Sequence, residues 1–383
     1  MGEWLSRLKK TIRTIRQIVR ERQFCLLRYL SSIDDDYYIQ NEPSAENDFE
    51  RSPHPLFDTV YYRNRYLEKS FKGHPFCHFM TVGLARGYKP GPFFDYDIYE
   101  KNTDWQQGRV NPLKHYLERR NTDWPSTGIF FDIQWYRDKT PILYQVNIDP
   151  VKHYRLHGAG EGKSPLPFFN PEFYLNSIPE NPHASADPFS HYLIYGILEG
   201  KQPCPWFDPV FYKEKYSSVI GELFPLEHYL KKGLYDGNYS VERLERLKSK
   251  PLISIIVPVY NADPFLLNYC IRSVLNQQYP HWQLCLADDG SSREGLREQL
   301  EEWGKQDSRI KIIINENNQG ISAASNAAAA LADGDYLGFL DNDDELTPDC
   351  LYHIAETISR TSAEVVYTDE DLIGIDGRRL SVF

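Results

Sequence analysis

Apolar runs alternate with amphipathic stretches over the last third of the chain. Continuous β-branched and aliphatic runs are typical of strands buried on both faces, and apolar residues three or four positions apart are typical of helices. The predicted strands cover 253–260, 282–287, 309–315, 336–340 and 363–367. The main predicted helices between them cover 264–279, 321–332 and 348–360. This alternation predicts an α/β doubly wound domain with a parallel sheet.

Polar residues follow the predicted strands directly. Asn261, Asp289, Asp341 and Asp369 each come where a strand ends. Ligands of doubly wound sheets bind beyond the carboxyl ends of the strands. The sequence therefore predicts a binding crevice at this edge of the sheet.

Three carboxylates crowd the segment Asp341-Asn342-Asp343-Asp344. Because like charges repel, such a cluster is typical of a binding site for a divalent cation and a phosphorylated ligand. Acidic residues after strands also serve as helix N-caps and turn residues. That second reading stays open for Asp289, which lies in a turn-like Asp-Asp-Gly-Ser segment, and for the acidic run 369–371.

Five motifs follow one another at fixed spacing: Ile256-Val-Pro-Val-Tyr-Asn261, Ser273-Val-Leu-Asn-Gln-Gln278, Ala287-Asp-Asp-Gly-Ser291, Asn317-Asn-Gln-Gly-Ile-Ser-Ala-Ala-Ser-Asn326 and Phe339-Leu-Asp-Asn-Asp-Asp-Glu-Leu346. With them, residues 251–371 resemble the nucleotide-binding half of a family 2 glycosyltransferase with the GT-A fold. The last two motifs are similar to a subgroup that includes rhamnosyltransferase-like proteins of bacterial surface polysaccharides.

The resemblance implies a role for each matching position. The donor-binding residues that it implies are Pro258, Tyr260, Asn261, Asp289, Asn326 and Asp341. Pro258 and Tyr260 would line the nucleobase pocket, and Asp289 would accept the base imide N–H, which favours a UDP- or dTDP-linked donor. Asp341 and Asp343 would form the DxD motif that holds Mg²⁺ or Mn²⁺ on the donor diphosphate.

The resemblance also implies an activity, transfer of a sugar with inversion to a surface polysaccharide or glycolipid acceptor. Such enzymes need a general base. The family places it downstream of the DxD motif, and we expect it beyond Phe383. The catalytic residue is therefore unknown, and the sequence-based hypothesis is a C-terminally truncated domain over 251–383. The alternative is a non-catalytic half-enzyme or repeat scaffold that binds a partner protein or a glycan.

The region 55–240 is an internal repeat array of five units of 37–38 residues. Two columns of residues define it. A Phe-Asp or Phe-Asn pair is followed by the tyrosines Tyr62, Tyr99, Tyr136, Tyr174 and Tyr212. The second column holds His78, His115, His153, His191 and His228. Units this small cannot bury their aromatic residues alone, so the pattern predicts an all-α array that stacks.

Each unit is predicted to hold two short helices. The Asp or Asn of the first column serves as an N-cap. Gly83, Gly158, Gly196 and Gly233 are predicted as left-handed C-caps. One histidine per unit, without a second ligand type at metal spacing, indicates a structural hydrogen bond rather than a metal site.

Residues 1–30 carry eight Lys or Arg and two Glu, a net charge of +6. The whole chain is at −11, so the other 353 residues are at −17 (−11 minus +6). The apolar residues here recur at helical spacing, which predicts a basic amphipathic helix at an anionic membrane surface or a partner helix. An ordinary packing helix is the alternative. Residues 31–54 are predicted as a flexible linker.

Charge balance, apolar run lengths and cysteine spacing limit which partners and which cellular location fit the chain. The acidic balance argues against nucleic acid. No apolar run reaches the length of a bilayer span, and the charged start lacks a signal core. The six cysteines show no paired spacing, and we expect reduced thiols. Together these features predict a cytoplasmic protein, with peripheral contact at the inner face of the cytoplasmic membrane if the first helix binds lipid.

Overall fold

The computed structural model describes residues 2–20, 24–40, 52–108, 110–119, 124–178, 182–374 and 379–382. The chain divides into two compact units, Met1–Pro205 with Asp371–Val382, and Trp206–Glu370. The first four repeats belong to the first unit. The fifth repeat belongs to the same unit as the sheet.

The N-terminal segment is helical. It holds α1 (Gly2–Arg20), a 3₁₀ helix (Phe24–Ser32) and α2 (Asp35–Gln40). The linker predicted for 31–54 is wrong for its first part, because α2 is folded and Tyr37 and Tyr38 are buried in the core. Residues 41–51 lie outside the described residues. None of the described helices is long and apolar enough to cross a bilayer.

Cys25 and Cys77 form a disulfide with their Cα atoms 6.4 Å apart. The expectation of reduced thiols is therefore wrong for this pair. The two cysteines are separated by 52 residues, and no local spacing rule links positions so far apart. Cys270 and Cys285 form no disulfide and are buried, as predicted for core thiols, and Cys204 is buried as well.

The repeat array is all-α, as predicted. Its helices are α3 (Thr59–Tyr66), α4 (Pro75–His78), α5 (Tyr96–Lys101), α6 (Pro112–Glu118), α7 (Ile133–Asp138), α8 (Ile142–Gln145), α9 (Pro150–His153), α10 (Pro171–Asn176), α11 (Pro182–Ala186), α12 (Pro188–His191), α13 (Pro209–Lys215), α14 (Ser217–Ile220) and α15 (Pro225–His228). The predicted caps form: the Asp58 side chain, for example, accepts the Tyr61 backbone N–H at 2.8 Å.

Every repeat contains the same hydrogen bond from its buried first-column tyrosine. The tyrosine hydroxyl of the first column lies 2.8–2.9 Å from Nδ1 of the histidine 16 or 17 residues later. Burial lowers the pKa of His78, His153 and His228, which favours the neutral ring. The structural reading of the histidine column is thus supported by a partner within the same repeat.

The prediction of left-handed C-caps at Gly83, Gly158, Gly196 and Gly233 is wrong. In four repeats the second helix runs on through a π-helical turn: Phe79–Gly83, Tyr154–Gly158, Tyr192–Gly196 and Tyr229–Gly233. The positive φ angles lie four residues further on, at Gly87, Gly162, Gly200 and Gly237. The earlier glycines serve another purpose, since a Cβ at any of them would collide with the buried tyrosine hydroxyl of its repeat.

The first four repeats stack, as predicted. Each unit is first closed on itself: the backbone N–H of its first-column cap donates to a carbonyl 32 or 33 residues later in the same repeat, as from Asp58 to Pro90 at 3.0 Å. Arg155 of the third repeat is buried and ion-paired with Asp58 of the first at 2.9 Å and with Asp187 of the fourth at 3.3 Å. Its guanidinium also lies 4.3 Å from the Phe93 ring centre. The pair with Asp58 joins the third repeat to the first, which is not its neighbour in sequence, and the pair with Asp187 joins it to the fourth.

The second compact unit contains a four-stranded parallel sheet in the order β3-β2-β1-β4. Its elements are α16 (Glu242–Glu245), β1 (Ile253–Val259), α17 (Pro264–Leu275), β2 (Trp282–Asp288), α18 (Leu296–Gln306), β3 (Ile310–Ile314), α19 (Ile321–Ala329), β4 (Tyr336–Phe339) and α20 (Cys350–Thr361). The predicted doubly wound fold is therefore confirmed. A separate antiparallel pair consists of β5 (Asp371–Ile373) and β6 (Arg379–Val382).

The predicted fifth strand at 363–367 does not form. Val365 and Tyr367 are 83% and 90% exposed, so these apolar residues find no buried strand position. Phe339 pairs in register with Ile256, whose face is covered by the alanine-rich α19. Phe339 itself is 73% exposed. One face of the sheet is thus uncovered at β4.

The segment after the fifth repeat is part of the sheet's core rather than a free connector. Val241 and Leu244 are buried in the same cluster as Ile253. The Tyr239 hydroxyl and His281 Nε2 lie 2.8 Å apart. The last repeat is therefore continuous with the sheet domain.

We predict that Gly158→Ala destabilises the array by about 2–4 kcal/mol, because its Cβ would displace the Tyr136 hydroxyl from His153 and overpack the core. The measurement is the shift in the urea midpoint followed by circular dichroism. The control, Gly162→Ala, meets open space and costs only the left-handed backbone strain at φ +71°, about 1–2 kcal/mol. In a Tyr136→Phe background, Gly158→Ala should cost less than in the native chain. Equal losses for both glycines, or strict additivity, would contradict this account.

Candidate active site

The sheet topology places a switch point between β1 and β4. From β1 the chain continues to β2 and β3 on one side, and it then returns to add β4 on the other side of β1. Ligand crevices of doubly wound sheets lie at such a reversal, beyond the carboxyl ends of the strands. Tyr260 follows β1 and Asp341 follows β4, so two of the predicted site segments meet there.

The acidic turn is tied to β1 by its asparagine. The Asn342 side-chain amide donates to the Pro258 carbonyl at 3.0 Å, and the Leu340 N–H donates to the Ile256 carbonyl at 3.1 Å. Asp341 and Asp343, on either side of Asn342, are exposed. The turn therefore fixes its backbone while it presents both carboxylates to solvent.

Negative charge accumulates around this turn. Partial burial raises the pKa of Asp344, and the charges of Asp343, Asp341 and Glu370 raise it further. Within the described part of the chain, no three His, Cys, Asp or Glu side chains converge to hold a metal. The site offers carboxylate oxygens but not a complete protein cage.

Buried polar residues of α17 and the segment that follows it hold the loop after the acidic turn. Ser273 Oγ accepts the Leu346 N–H at 3.0 Å. Gln277 donates to the Thr347 carbonyl at 2.7 Å and accepts the Leu351 N–H at 3.0 Å. Sequence reasoning used these residues only as a motif and missed their role, although a Ser and a Gln on the buried face of a predicted helix were a usable signal.

The loop after β1 depends on Asn261. This residue has a φ of +47°, and its side-chain oxygen accepts the N–H groups of Ser292 and Arg293 at 2.9 and 3.1 Å. It therefore joins the end of β1 to the loop that follows β2. Tyr260 beside it is 52% exposed, with its ring available to a ligand.

Asp289 has the turn-holding role that the sequence left open. It is 1% exposed, and its carboxylate accepts the Gly320 N–H at 2.7 Å and the Gln319 N–H at 3.0 Å. Gly290 allows this approach, since a Cβ there would lie 2.7 Å from the Asn317 carbonyl carbon. The loops of the third and fourth motifs are thus interlocked.

Asn326 and Asp369 lie apart from these contacts. Asn326 is exposed on α19. Asp369 and Glu370 are exposed in the segment before β5, because the strand predicted to end at Asp369 is absent. The structure brings Pro258, Asn261, Asp341 and Asp343 to one edge of the sheet.

We predict that Gln277→Met lowers stability by about 2–4 kcal/mol, since it leaves the Thr347 carbonyl and the Leu351 N–H without their buried partner. Amide hydrogen exchange over 344–351 should accelerate. Gln306→Met is the matched control, because Gln306 is exposed and makes one 3.5 Å contact with Glu302. Unchanged exchange in the Gln277 variant would show that this side chain does not hold the loop.

Residues 254–380 match the family model described as glycosyl transferase family 2. The chain is 44% identical over 139 residues to an uncharacterized protein, y4gI, of Sinorhizobium fredii, covering 36% of this chain and 15% of that protein. It is 37% identical over 134 residues to a putative teichuronic acid biosynthesis glycosyltransferase, TuaG, of Bacillus subtilis, covering 35% and 52%. Chondroitin synthase of Escherichia coli is 37% identical over 136 residues, covering 35% and 19%.

Among solved structures, residues 1–349 of TarS from S. aureus in complex with UDP-GlcNAc are 26% identical, with 29% of this chain and 32% of that chain covered and a TM-score of 0.27. The chain spans at most about half the length of the curated relatives named above, 52% for TuaG. The family match and the shared sequence coincide with the sheet, the acidic turn and the interlocked loops. Residues 254–380 of this chain therefore form a family 2 glycosyltransferase domain.

Proposed function

We propose that this domain transfers a sugar from a UDP- or dTDP-linked donor to a bacterial surface polysaccharide or glycolipid, with inversion as the family chemistry implies. The observation that carries the proposal is the pair of exposed carboxylates, Asp341 and Asp343, on a turn tied to Pro258 at the topological switch point. Relatives whose names refer to teichuronic acid, O-antigen and chondroitin support the polysaccharide class.

The residues fit a divalent cation. Mg²⁺ commonly takes one or two protein carboxylates and completes its shell with water and substrate phosphates. Partial burial raises the pKa of Asp344, and the charges of Asp343, Asp341 and Glu370 raise it further; a bound cation would offset that negative charge. Asp341 and Asp343 would hold Mg²⁺ or Mn²⁺. When bound, the ion would act as a Lewis acid that neutralises the departing diphosphate.

The other residues would bind and orient the donor. Pro258 and Tyr260 would line the nucleobase pocket, and Asn261 would keep the loop beside it in place. Three N–H donors already use the Asp289 carboxylate, from Asn315, Gln319 and Gly320. A carboxylate has about four acceptor positions. Asp289 would therefore contribute chiefly by ordering its loop, with one position left for the base imide.

A second candidate is a half-enzyme or scaffold that works with further polypeptide. One observation favours it, the uncovered apolar face at Leu337 and Phe339, which are 47% and 73% exposed. Strands of parallel sheets are normally covered on both faces. Under this proposal the donor pocket is retained, and the acceptor side and general base are supplied elsewhere. The cytoplasmic location stays a prediction.

The test is calorimetric titration of the chain with UDP and dTDP, with and without Mn²⁺. We expect metal-dependent binding that weakens at least about 100-fold in an Asp341→Asn, Asp343→Asn variant, because the metal contributes several kcal/mol. Stability of that variant without ligand should be unchanged or higher, since two repelling charges near Asp344 are removed. Asp349→Asn is the control, as that carboxylate lies in the same loop and pairs with His353.

Equal metal-dependent binding by the double variant would remove Asp341 and Asp343 from the metal site. Absence of binding under every condition would overturn the donor-binding proposal and leave the scaffold candidate. Loss of binding in the Asp349 control as well would indicate a general effect of loop charge.

A further inference from the structure

α1 is the basic element of an acidic protein. Its 19 residues include six Lys or Arg and one Glu. Its packing face is defined by Thr14 and Ile18, both fully buried. Lys10 pairs with Asp36 of α2 at 2.7 Å, and Thr11 bonds to Asp35 at 2.9 Å. The helix is therefore attached to the fold along one side.

The apolar stripe of α1 is not the side that packs. Leu8 and Ile12, one turn apart, are each 41% exposed. At 3.6 residues per turn they lie roughly 120–160° around the helix from Thr14. A helix that served only to pack would turn these two side chains to the core. Their exposure leaves an apolar ridge on the outer side.

A band of positive charge borders this ridge. Lys9, Arg13 and Arg16 are exposed and follow Leu8 and Ile12 around the helix circumference. Residues 31–383 carry −17 (the −11 of the chain minus the +6 of residues 1–30), so the positive charge is concentrated on this segment. An apolar ridge beside a basic band on one helix matches an anionic lipid surface, with side chains in the acyl boundary and cations at the headgroups.

We propose that α1 binds the surface of an anionic lipid bilayer through Leu8 and Ile12, with Lys9, Arg13 and Arg16 at the headgroups. The helix lies in the plane of the interface and does not cross the bilayer. Thr14, Ile18 and the bonds to α2 keep it joined to the repeats, so lipid binding holds the protein against the membrane. The proposal does not depend on the transferase activity.

The test is co-sedimentation of the full chain with phosphatidylcholine vesicles, with and without phosphatidylglycerol. We expect binding to the anionic vesicles alone, weakened by added salt. The variant Lys9→Gln, Arg13→Gln, Arg16→Gln should bind about 100-fold more weakly, from roughly fivefold per charge near the surface. Leu8→Ser, Ile12→Ser should also lose affinity. The matched control is Lys213→Gln, Arg246→Gln, Arg297→Gln, which removes three exposed cations from other elements and should bind normally.

Circular dichroism checks that each variant is folded. Failure of the folded native chain to bind anionic vesicles overturns the proposal, and so does equal loss in the control variant. A dimer seen by light scattering, absent in Leu8→Ser, Ile12→Ser and unaccompanied by vesicle binding, would assign the ridge to a second copy of the chain instead.

Discussion

Each repeat buries a tyrosine hydroxyl, and a buried hydroxyl without a partner costs about 1–3 kcal/mol. The histidine one helix later supplies that partner in all five repeats. The glycine of the π-helical turn makes room for the pair in four of them. The recurring sequence columns are thus the parts of one hydrogen-bonded contact, and the aromatic core of each repeat is arranged around it.

The need for hydrogen-bond partners at buried polar positions also shapes the transferase domain. A loop that carries several carboxylates cannot be held by apolar packing, so its backbone is held by side chains that reach it from buried positions. Ser273 and Gln277 do this from one side, and Asn342 ties the turn to the carbonyl of Pro258. Rigid attachment of the backbone leaves Asp341 and Asp343 free to face a ligand. Under the proposed function, charges preorganised in this way would need little reorganisation to bind a cation and a diphosphate.

The two regions differ in how they meet solvent. The repeats bury the first-column tyrosine of every unit, and the ion pairs of Arg155 with Asp58 and Asp187 lie inside the array. The sheet exposes Leu337 and Phe339 on β4. An exposed apolar face next to the topological switch point marks a surface where further polypeptide would gain stability by contact.

Periodicity and turn chemistry are local properties, so the order of the first four strands and their helices, the repeat period, the N-caps and the acidic turn could be predicted from the sequence. Contacts between distant segments could not. The Cys25–Cys77 bond spans 52 residues, and the glycines of the repeats are required by a tyrosine hydroxyl from the other helix of the same repeat rather than by a cap. The strand expected at 363–367 failed because strand formation needs a neighbour and a covered face, which no run of five residues can supply alone. Asp289 orders a loop instead of lining an open pocket, because the fold places the N–H groups of Gln319 and Gly320 against its carboxylate. This contact depends on the packing of two motifs 30 residues apart.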